Sequence, residues 1–225
     1  MLLSTCHVPF CPFQTIYLVE GYSPIQKNRS RGRSKHMSNR TANYTAFYVT
    51  EPFDPSNLKA QATKDFVYYN MLRAWKGADA SFPFVDAHAK TYSVRDESDW
   101  ERTLKPRLHE RLKASKNIIL FLSSITKDSR ALREEITYGI ETCELPVIAI
   151  YPDYSEKEDI VTETGETRQQ IKNLWDRLPA FRDKMGLVPT CHIPLQKSLI
   201  ITCLNDERFM VNTKGDPGVY TFRLR

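Results

Sequence analysis

A β-α-β unit in the middle of the chain constrains the fold more than any other feature. Residues 117–122, Asn-Ile-Ile-Leu-Phe-Leu, form a run typical of a strand buried on both faces, and Ser123-Ser124 closes it. Apolar residues then recur at helical spacing over 132–143, and residues 147–150 form a second buried strand. Because open α/β sheets bind ligands beyond the carboxyl ends of their strands, the sequence predicts a functional site beside the loop that follows the first strand.

Strand and helix patterns alternate along the rest of the chain. Strands are predicted at 44–50, 82–86 and 190–193, and helices near 63–76, 169–177 and 196–204. A further helix is predicted within 98–112, and it either kinks at Pro106 or begins there after a short turn. This alternation predicts an α/β fold with a mostly parallel, doubly wound sheet. The tail is predicted to form a C-terminal β-hairpin extension, with strands at 208–213 and 218–223 joined through Lys-Gly-Asp-Pro.

Charge divides the chain into a leader and a neutral body. Residues 1–40 hold six basic residues and one acidic residue, which accounts for the whole net charge of +5. We expect 1–40 to be a disordered basic leader, either a gene-model extension with Met37 as the true start or a genuine tail. Residues 41–153 are predicted to form the core of the domain, and 154–225 to add strands and helices packed on that same domain.

Composition limits the classes of function. The neutral body predicts no specific nucleic-acid surface, and no apolar run approaches the ~20 residues that span a bilayer. The five cysteines form no Cys-x-x-Cys pair and no zinc spacing with the histidines, so we predict no metal site. Scattered cysteines of this kind predict reduced thiols in a cytoplasmic protein.

The strongest candidate for chemistry is a carboxylate on the helix of the central unit. Glycine-rich phosphate loops and the Gly-x-Ser-x-Gly elbow are absent, which argues against P-loop proteins and against hydrolases that use a serine nucleophile on such an elbow. Glu134 and Glu135 lie beside the apolar stripe of this helix. Such a carboxylate can hold a ribose hydroxyl and stabilise an oxocarbenium-like cation. The pattern alone more often indicates solvated acids near the start of a helix.

Several motifs follow one another along residues 44–151. They are Phe53-Asp54, Phe84-Val-Asp-Ala-His88, Arg95-Asp96-x-Ser98, Thr103-Leu-Lys-Pro-Arg107, Ser115-Lys-Asn-Ile-Ile-Leu-Phe-Leu-Ser-Ser-x-Thr126 and Arg133-Glu-Glu-Ile136. In this combination the chain resembles the TIR-like family, most closely the bacterial branch with the TIR component of Thoeris anti-phage defence. The resemblance implies a flavodoxin-like fold. In enzymatic members it also implies cleavage of the nicotinamide–ribose bond of NAD, which is then a substrate rather than a cofactor.

The resemblance also implies a catalytic residue. The glutamate of the family lies on the helix after the third strand, and Glu135 matches it best because it directly precedes Ile136, with Glu134 as the alternative. Ala131 and Leu132 stand where many TIR enzymes carry a tryptophan.

Five further residues are candidates for substrate binding. Phe53 can stack on a base or cover the core. Ser124 and Thr126 can donate hydrogen bonds to ribose or phosphate, or cap the next helix. His88 can contact a diphosphate or transfer a proton, or it can be merely exposed. Asp86 ends a predicted strand, where it can orient Arg95.

Three functions remain open at this stage. The first is an NAD-consuming enzyme, a glycohydrolase or cyclase, in prokaryotic defence or signalling. The second is a non-catalytic TIR module that binds a nucleotide or assembles with other TIR domains, and the third is a nucleoside deoxyribosyltransferase-like enzyme. Expected partners are NAD or a related nucleotide, further TIR copies, and an effector protein reached by a nucleotide signal. An enzyme is expected to face Glu135 towards a cleft near Phe53 and Ser124.

Overall fold

One parallel sheet organises the described part of the chain. The structure is a computed structural model that describes residues 16–18, 40–48, 64–88 and 99–222. The strands in these ranges are β1 (Ile16–Leu18), β2 (Ala42–Ala46), β3 (Ser115–Phe121), β4 (Val147–Tyr151), β5 (Pro189–Pro194) and β6 (Gly218–Phe222). They lie in the order β1-β6-β5-β4-β3-β2, and every neighbouring pair is parallel.

Residues 82–88 run alongside β2 at the edge of the sheet. The backbone N–H of Asn43 donates to the carbonyl of Val85 (2.6 Å), and that of Ala87 donates to the carbonyl of Asn43 (3.1 Å). Only an isolated parallel bridge between Asn43 and Asp86 forms where the sequence predicts a strand. With this segment in the place of a second strand, the order through β2, β3, β4 and β5 is the flavodoxin-like 2-1-3-4-5. The predicted fold class is confirmed.

Helices cover both faces of the sheet. They are α1 (Lys64–Ala78), α2 (Lys105–Lys113), α3 (Arg130–Thr137), α4 (Gln169–Trp175), α5 (Pro179–Arg182) and α6 (Lys197–Asn205). Successive strand residues point to opposite faces, so Ile118 and Leu120 pack with α2 to α5 on what we call the first face. Ile119 and Phe121 pack with α1 and α6 on the second face.

The start of α2 follows from its cap and its proline. A π-helical turn, Trp100–Leu104, precedes the helix, and the Asp99 carboxylate caps this turn by accepting the Arg102 N–H (2.8 Å). Pro106 lies in the first turn of α2, where its missing N–H leaves no hydrogen bond unmade. The helix therefore begins just before this proline rather than kinking at it.

The predicted C-terminal β-hairpin is wrong. Residues 207–209 form a 3₁₀ turn, and β6 pairs in parallel with β5 on one side and with β1 on the other. Because both edges of β6 are taken, residues 208–213 have no strand to join. Phe209 instead packs its ring edge-on against Tyr220, at 5.4 Å between centroids, and is fully buried.

Other differences from the sequence predictions are local. The leader was expected to be disordered throughout, whereas the structure places Ile16–Leu18 in β1; Met37 lies outside the described residues. Residues 153–168 are acidic, polar and poor in apolar residues, a pattern that predicts a mobile loop, but Ile160 and Val161 within it are completely buried. On α1, helical spacing predicts an apolar stripe of Val67, Met71 and Trp75, but Val67 is 57% exposed. The buried residues of this helix include Tyr69 and Leu72.

Two observations bear on the class of protein. Within the described ranges, no helix combines the length and apolar character needed to cross a bilayer. Cys143, Cys191 and Cys203 are free and buried, as the sequence predicts for reduced thiols.

Candidate functional site

Glu135 lies half-buried on α3, on the side of the helix that faces β2. Its Oε1 accepts a hydrogen bond from the Tyr44 hydroxyl at 2.8 Å. No other hydrogen bond to this carboxyl comes from the described residues, so Oε2 is not engaged by any of them. One oxygen is therefore held by Tyr44, and the other accepts no hydrogen bond from the described part of the chain.

Tyr44 reaches this carboxyl because of strand alternation. It is the central residue of β2, is 1% exposed, and lies on the first face with α2 and α3. A buried phenol needs a hydrogen-bond partner, and Glu135 supplies it. The ring of His88 packs against the Tyr44 ring at 4.8 Å between centroids, tilted by 54°.

His88 is fixed by three contacts. Its Nε2 lies 3.0 Å from the Thr45 carbonyl and must carry the proton, because a carbonyl oxygen only accepts. Its Nδ1 lies 3.4 Å from Nη1 of Arg111, and its backbone N–H donates to Oδ1 of Asp86 at 2.8 Å. Burial, with the Arg111 charge, lowers the pKa of His88 to about 4. The imidazole is therefore neutral at physiological pH and braces the Tyr44 ring.

Asp86 is engaged on both oxygens. Oδ1 accepts from His88, and Oδ2 accepts from the hydroxyl of Tyr69 at 2.8 Å. Arg73 adds an ion pair at 3.9 Å, but its side chain is 58% exposed, so the contribution to stability is small. Arg95, the expected partner of Asp86, lies outside the described residues. Within them, Asp86 anchors the chain just before the 89–98 segment.

The surroundings of Glu135 bring the pKa of its carboxyl close to physiological pH. Burial raises the pKa of this carboxyl to about 8, while the Tyr44 hydrogen bond and the Arg111 charge act in the opposite direction. At pH 7 the protonated form of this carboxyl therefore predominates. A carboxyl of this kind can act as a proton donor, or it can become a carboxylate when a cationic ligand binds beside it.

Glu134 has different surroundings from its neighbour. Its Oε1 lies 2.7 Å from Nε2 of His109 and 3.5 Å from Nζ of Lys105, both on α2. The His109 ring in turn stacks on Tyr138 at 3.5 Å, with 4° between the planes. Glu134 therefore joins α3 to α2. Glu135 instead contacts Tyr44 and, together with Tyr44, His88, Asp86 and Arg111, forms what we call the Tyr44 cluster.

Thr126 belongs to a second cluster, built around Asp65 at the start of α1, whereas Ser124 lies in the same loop without a hydrogen bond to Asp65. Asp65 is fully buried and accepts hydrogen bonds from the hydroxyls of Ser123 (2.8 Å) and Thr126 (3.2 Å). Thr126 also accepts the Ser123 N–H at 2.9 Å, so its hydroxyl is engaged within the loop. Ser124 is exposed, and its backbone N–H donates to Asp153 at 2.6 Å.

Neither of these residues caps α3, although the sequence leaves that alternative open. Ser129 is the N-cap, and its hydroxyl accepts the Leu132 N–H. Burial raises the pKa of Asp65, while the two hydroxyls lower it. The cluster ties α1 to the loop after β3 and shapes the carboxyl edge of the sheet.

The structure thus brings together some of the predicted residues and separates others. Glu135 and His88 both contact Tyr44, and Asp86 contacts His88. No hydrogen bond in the described residues joins Ser124 or Thr126 to this cluster. Phe53 lies outside the described residues.

Sequence reasoning missed Tyr44, Arg111 and Asp65. The signal for Tyr44 is its phenol within the strand predicted at 44–50, because a tyrosine hydroxyl that becomes buried requires a partner. Arg111 carries no such signal, because its position on a helix beside Leu112 is typical of an exposed cation. Within the described ranges, no three side chains of His, Cys, Asp or Glu lie close enough together to bind a metal ion.

Comparison with known families adds an independent finding. A family model described as the TIR-like domain of the Thoeris protein ThsB matches residues 44–157, slightly more than half of the 225 residues. The matched span begins at Tyr44 and runs through Glu135 to the turn after β4. It therefore contains every member of the Tyr44 cluster.

Proposed function

The chain belongs to the TIR-like family of the Thoeris protein ThsB, and on that premise we propose that it cleaves NAD at the nicotinamide–ribose bond. One observation carries the proposal. The half-buried Glu135 carboxyl has Oε1 held by Tyr44, while Oε2 accepts no hydrogen bond from the described residues. A carboxyl in this setting is suited to stabilising positive charge on a bound sugar.

Glu135 acts in this proposal on the charge that develops in the transition state. As the bond between ribose C1′ and the pyridinium nitrogen lengthens, the nitrogen takes the bonding pair and nicotinamide leaves as a neutral molecule. The ribose becomes oxocarbenium-like, and the Glu135 carboxylate stabilises it. Water then adds to C1′ and releases a proton, which gives ADP-ribose. Attack by a group of the same molecule gives a cyclised ADP-ribose instead.

Ionisation of Glu135 is linked to substrate binding in this scheme. The free carboxyl is mostly protonated at pH 7, because burial raises the pKa of Glu135 to about 8. The pyridinium ring of NAD is a cation, and an opposite charge within a few ångströms favours the carboxylate. Substrate therefore promotes the charge state that the reaction needs.

The other predicted residues have structural or substrate-binding roles in this proposal. His88 and Asp86 hold the Tyr44 ring and the base of the 89–98 segment, which favours a structural part for them over ligand contact. Phe53 stays the predicted base-stacking residue. The exposed Ser124 stays a predicted contact for ribose or phosphate, whereas the hydroxyl of Thr126 is occupied by Asp65.

We further propose a part in prokaryotic anti-phage signalling, supported by the Thoeris family match. In that setting an ADP-ribose derivative carries the signal to an effector protein, and copies of the chain associate through their TIR surfaces to become active.

The test is to incubate the protein with NAD at concentrations that allow assembly, and to identify products by chromatography and mass spectrometry. We expect nicotinamide together with ADP-ribose or a derivative of it. Glu135→Gln is expected to reduce nicotinamide release by roughly 100-fold or more, because it removes the charge that stabilises the cation. Glu134→Gln is the matched control, since it removes the adjacent carboxylate and is expected to keep most of the activity.

Three outcomes separate the hypotheses. Intact NAD at every protein concentration contradicts the enzymatic proposal and favours the non-catalytic TIR module. Equal turnover by Glu135→Gln and the wild type contradicts only the residue assignment. Cleavage of deoxynucleosides with NAD untouched favours the deoxyribosyltransferase alternative.

A further inference from the structure

We propose that Tyr44 is a positioning residue for Glu135, whose hydroxyl fixes the carboxyl so that Oε2 is the oxygen presented to the sugar. This inference rests on the proposed function for its kinetic consequence, but the contact itself can be tested without turnover. It is carried by the 2.8 Å hydrogen bond between two side chains 91 residues apart in sequence.

Within the described ranges, Tyr44 is the residue whose hydrogen bond orients the Glu135 carboxyl. A glutamate side chain has several rotatable bonds and loses conformational entropy when it is held in one geometry. The neighbouring residues Leu132 and Ile136 anchor α3 against the first face but supply no hydrogen bond to Glu135. Among the described residues, the Tyr44 hydroxyl alone donates a hydrogen bond to it.

The hydroxyl of Tyr44 is well placed to do this because its own ring cannot move freely. Tyr44 is 1% exposed, and its backbone pairs with Ile118 of β3. Its ring packs against His88, which is fixed through the Thr45 carbonyl and Asp86. Positioning of a reacting group to within a fraction of an ångström requires this kind of support from the surrounding side chains.

Tyr44 acts only as a donor in this arrangement. Burial and the Glu135 charge raise the pKa of the Tyr44 phenol well above its ordinary value. The phenol therefore stays protonated throughout the range where Glu135 titrates and does not itself transfer a proton. Its hydrogen bond favours the ionised form of Glu135, since it is made to a carboxylate oxygen.

The charged and titratable groups around Glu135 come from three elements. Tyr44 faces it from β2, and Arg111 acts on it from α2. His88, on the edge segment, contacts Tyr44 and lies beside Arg111. Arg111 and Tyr44 both favour the carboxylate, so removal of the Tyr44 hydroxyl leaves Arg111 alone to oppose the effect of burial.

The experiment compares Tyr44→Phe with Tyr151→Phe. Each variant removes one buried hydroxyl from the first face, but Tyr151 bonds to His192 and Trp175 instead of to a carboxylate. Tyr44→Phe is expected to lower kcat for nicotinamide release roughly 10-fold with little change in KM, the kinetic equivalent of one hydrogen bond to a charged group. Tyr151→Phe is expected to leave kcat unchanged.

A second readout is the pKa of Glu135, measured by NMR on protein carrying ¹³C-labelled glutamate carboxyls, with the signal assigned by its loss in Glu135→Gln. Tyr44→Phe is expected to raise this pKa by about one unit, and Tyr151→Phe to leave it unchanged. If the wild type does not cleave NAD, the proposed function fails while this titration still decides the contact. An unchanged Glu135 pKa in folded Tyr44→Phe overturns the inference.

Should Tyr44→Phe not fold, 3-fluorotyrosine at position 44 provides a second test. Its more acidic hydroxyl is a stronger donor, so the expected shift has the opposite sign: the pKa of Glu135 falls. No shift, or a rise, overturns the inference.

Discussion

Tyr44 and Tyr151 lie on the same face of one sheet, and both are almost completely buried. Tyr44 stands on β2, near the edge, and donates to the half-buried carboxyl of Glu135. Tyr151 ends β4, near the centre; its hydroxyl accepts the Trp175 Nε1–H at 2.6 Å and lies 2.5 Å from Nδ1 of His192. With the Trp175 proton pointing at it, Tyr151 donates its own to the imidazole.

The two clusters, Tyr44 with Glu135 and Tyr151 with Trp175 and His192, differ in charge. His192 is fully buried, and burial lowers its pKa to about 3, so the Tyr151 cluster stays neutral at every physiological pH. The Tyr44 cluster contains a carboxyl whose pKa lies near 8, and one of its oxygens accepts no hydrogen bond from the described residues. On the proposed function, only the Tyr44 cluster contains a group whose charge can respond to a bound cation.

The largest effect on stability is expected from Trp175→Ala. Trp175 is 8% exposed, and its removal deletes a large core side chain together with the donor to Tyr151. We expect a loss of about 4 kcal/mol in the free energy of unfolding, measured by denaturant titration. Nicotinamide release per folded molecule is expected to stay close to the wild-type rate. A rate that falls as far as in Glu135→Gln would contradict the division between the two clusters.

Lowering the pH is expected to have a smaller effect on the free energy of unfolding, through protonation of His192 beside Tyr151. The folded-state pKa of His192 is about 3, below the ordinary value of 6.5, so the unfolded chain binds the proton more readily. Stability from this group is present above pH 6.5 and is lost as the pH falls towards 3. Between pH 6.5 and 5 the loss amounts to about 2 kcal/mol.

His192→Asn tests that assignment, because its amide oxygen can accept from Tyr151 but does not titrate. Denaturant titrations at the two pH values are expected to show a shallower loss for the variant than for the wild type. Parallel losses would show that His192 does not take up a proton on unfolding, and would remove the electrostatic contrast between the clusters.

How much the sequence predicts depends on the range of the interactions involved. The central β-α-β unit was predictable because its apolar periods are local, and β3, α3 and β4 appear where they are expected. The hairpin was mispredicted because alternation in 218–223 cannot reveal that β6 pairs with β1 and β5.

Prediction of the candidate site from the sequence is limited in the same way, because its contacts are long-range. Adjacent glutamates differ by about 100° around a helix, so periodicity places Glu134 and Glu135 in different directions without telling which one meets β2. The motif resemblance selected Glu135, and the fold shows the contact that this residue makes. Tyr44 could not be found in this way, because its contact depends on how α3 lies over the sheet, across 91 residues of sequence.

The pH dependence of kcat/KM for NAD cleavage tests the central claim most directly, because this parameter reports the groups that titrate in the free enzyme. If Glu135 must be ionised, kcat/KM rises with pH and levels off around the Glu135 pKa of about 8. Tyr44→Phe is expected to move this limb to higher pH, and Tyr151→Phe to leave it in place. A wild-type profile that is flat between about pH 6 and about pH 9 would contradict the account.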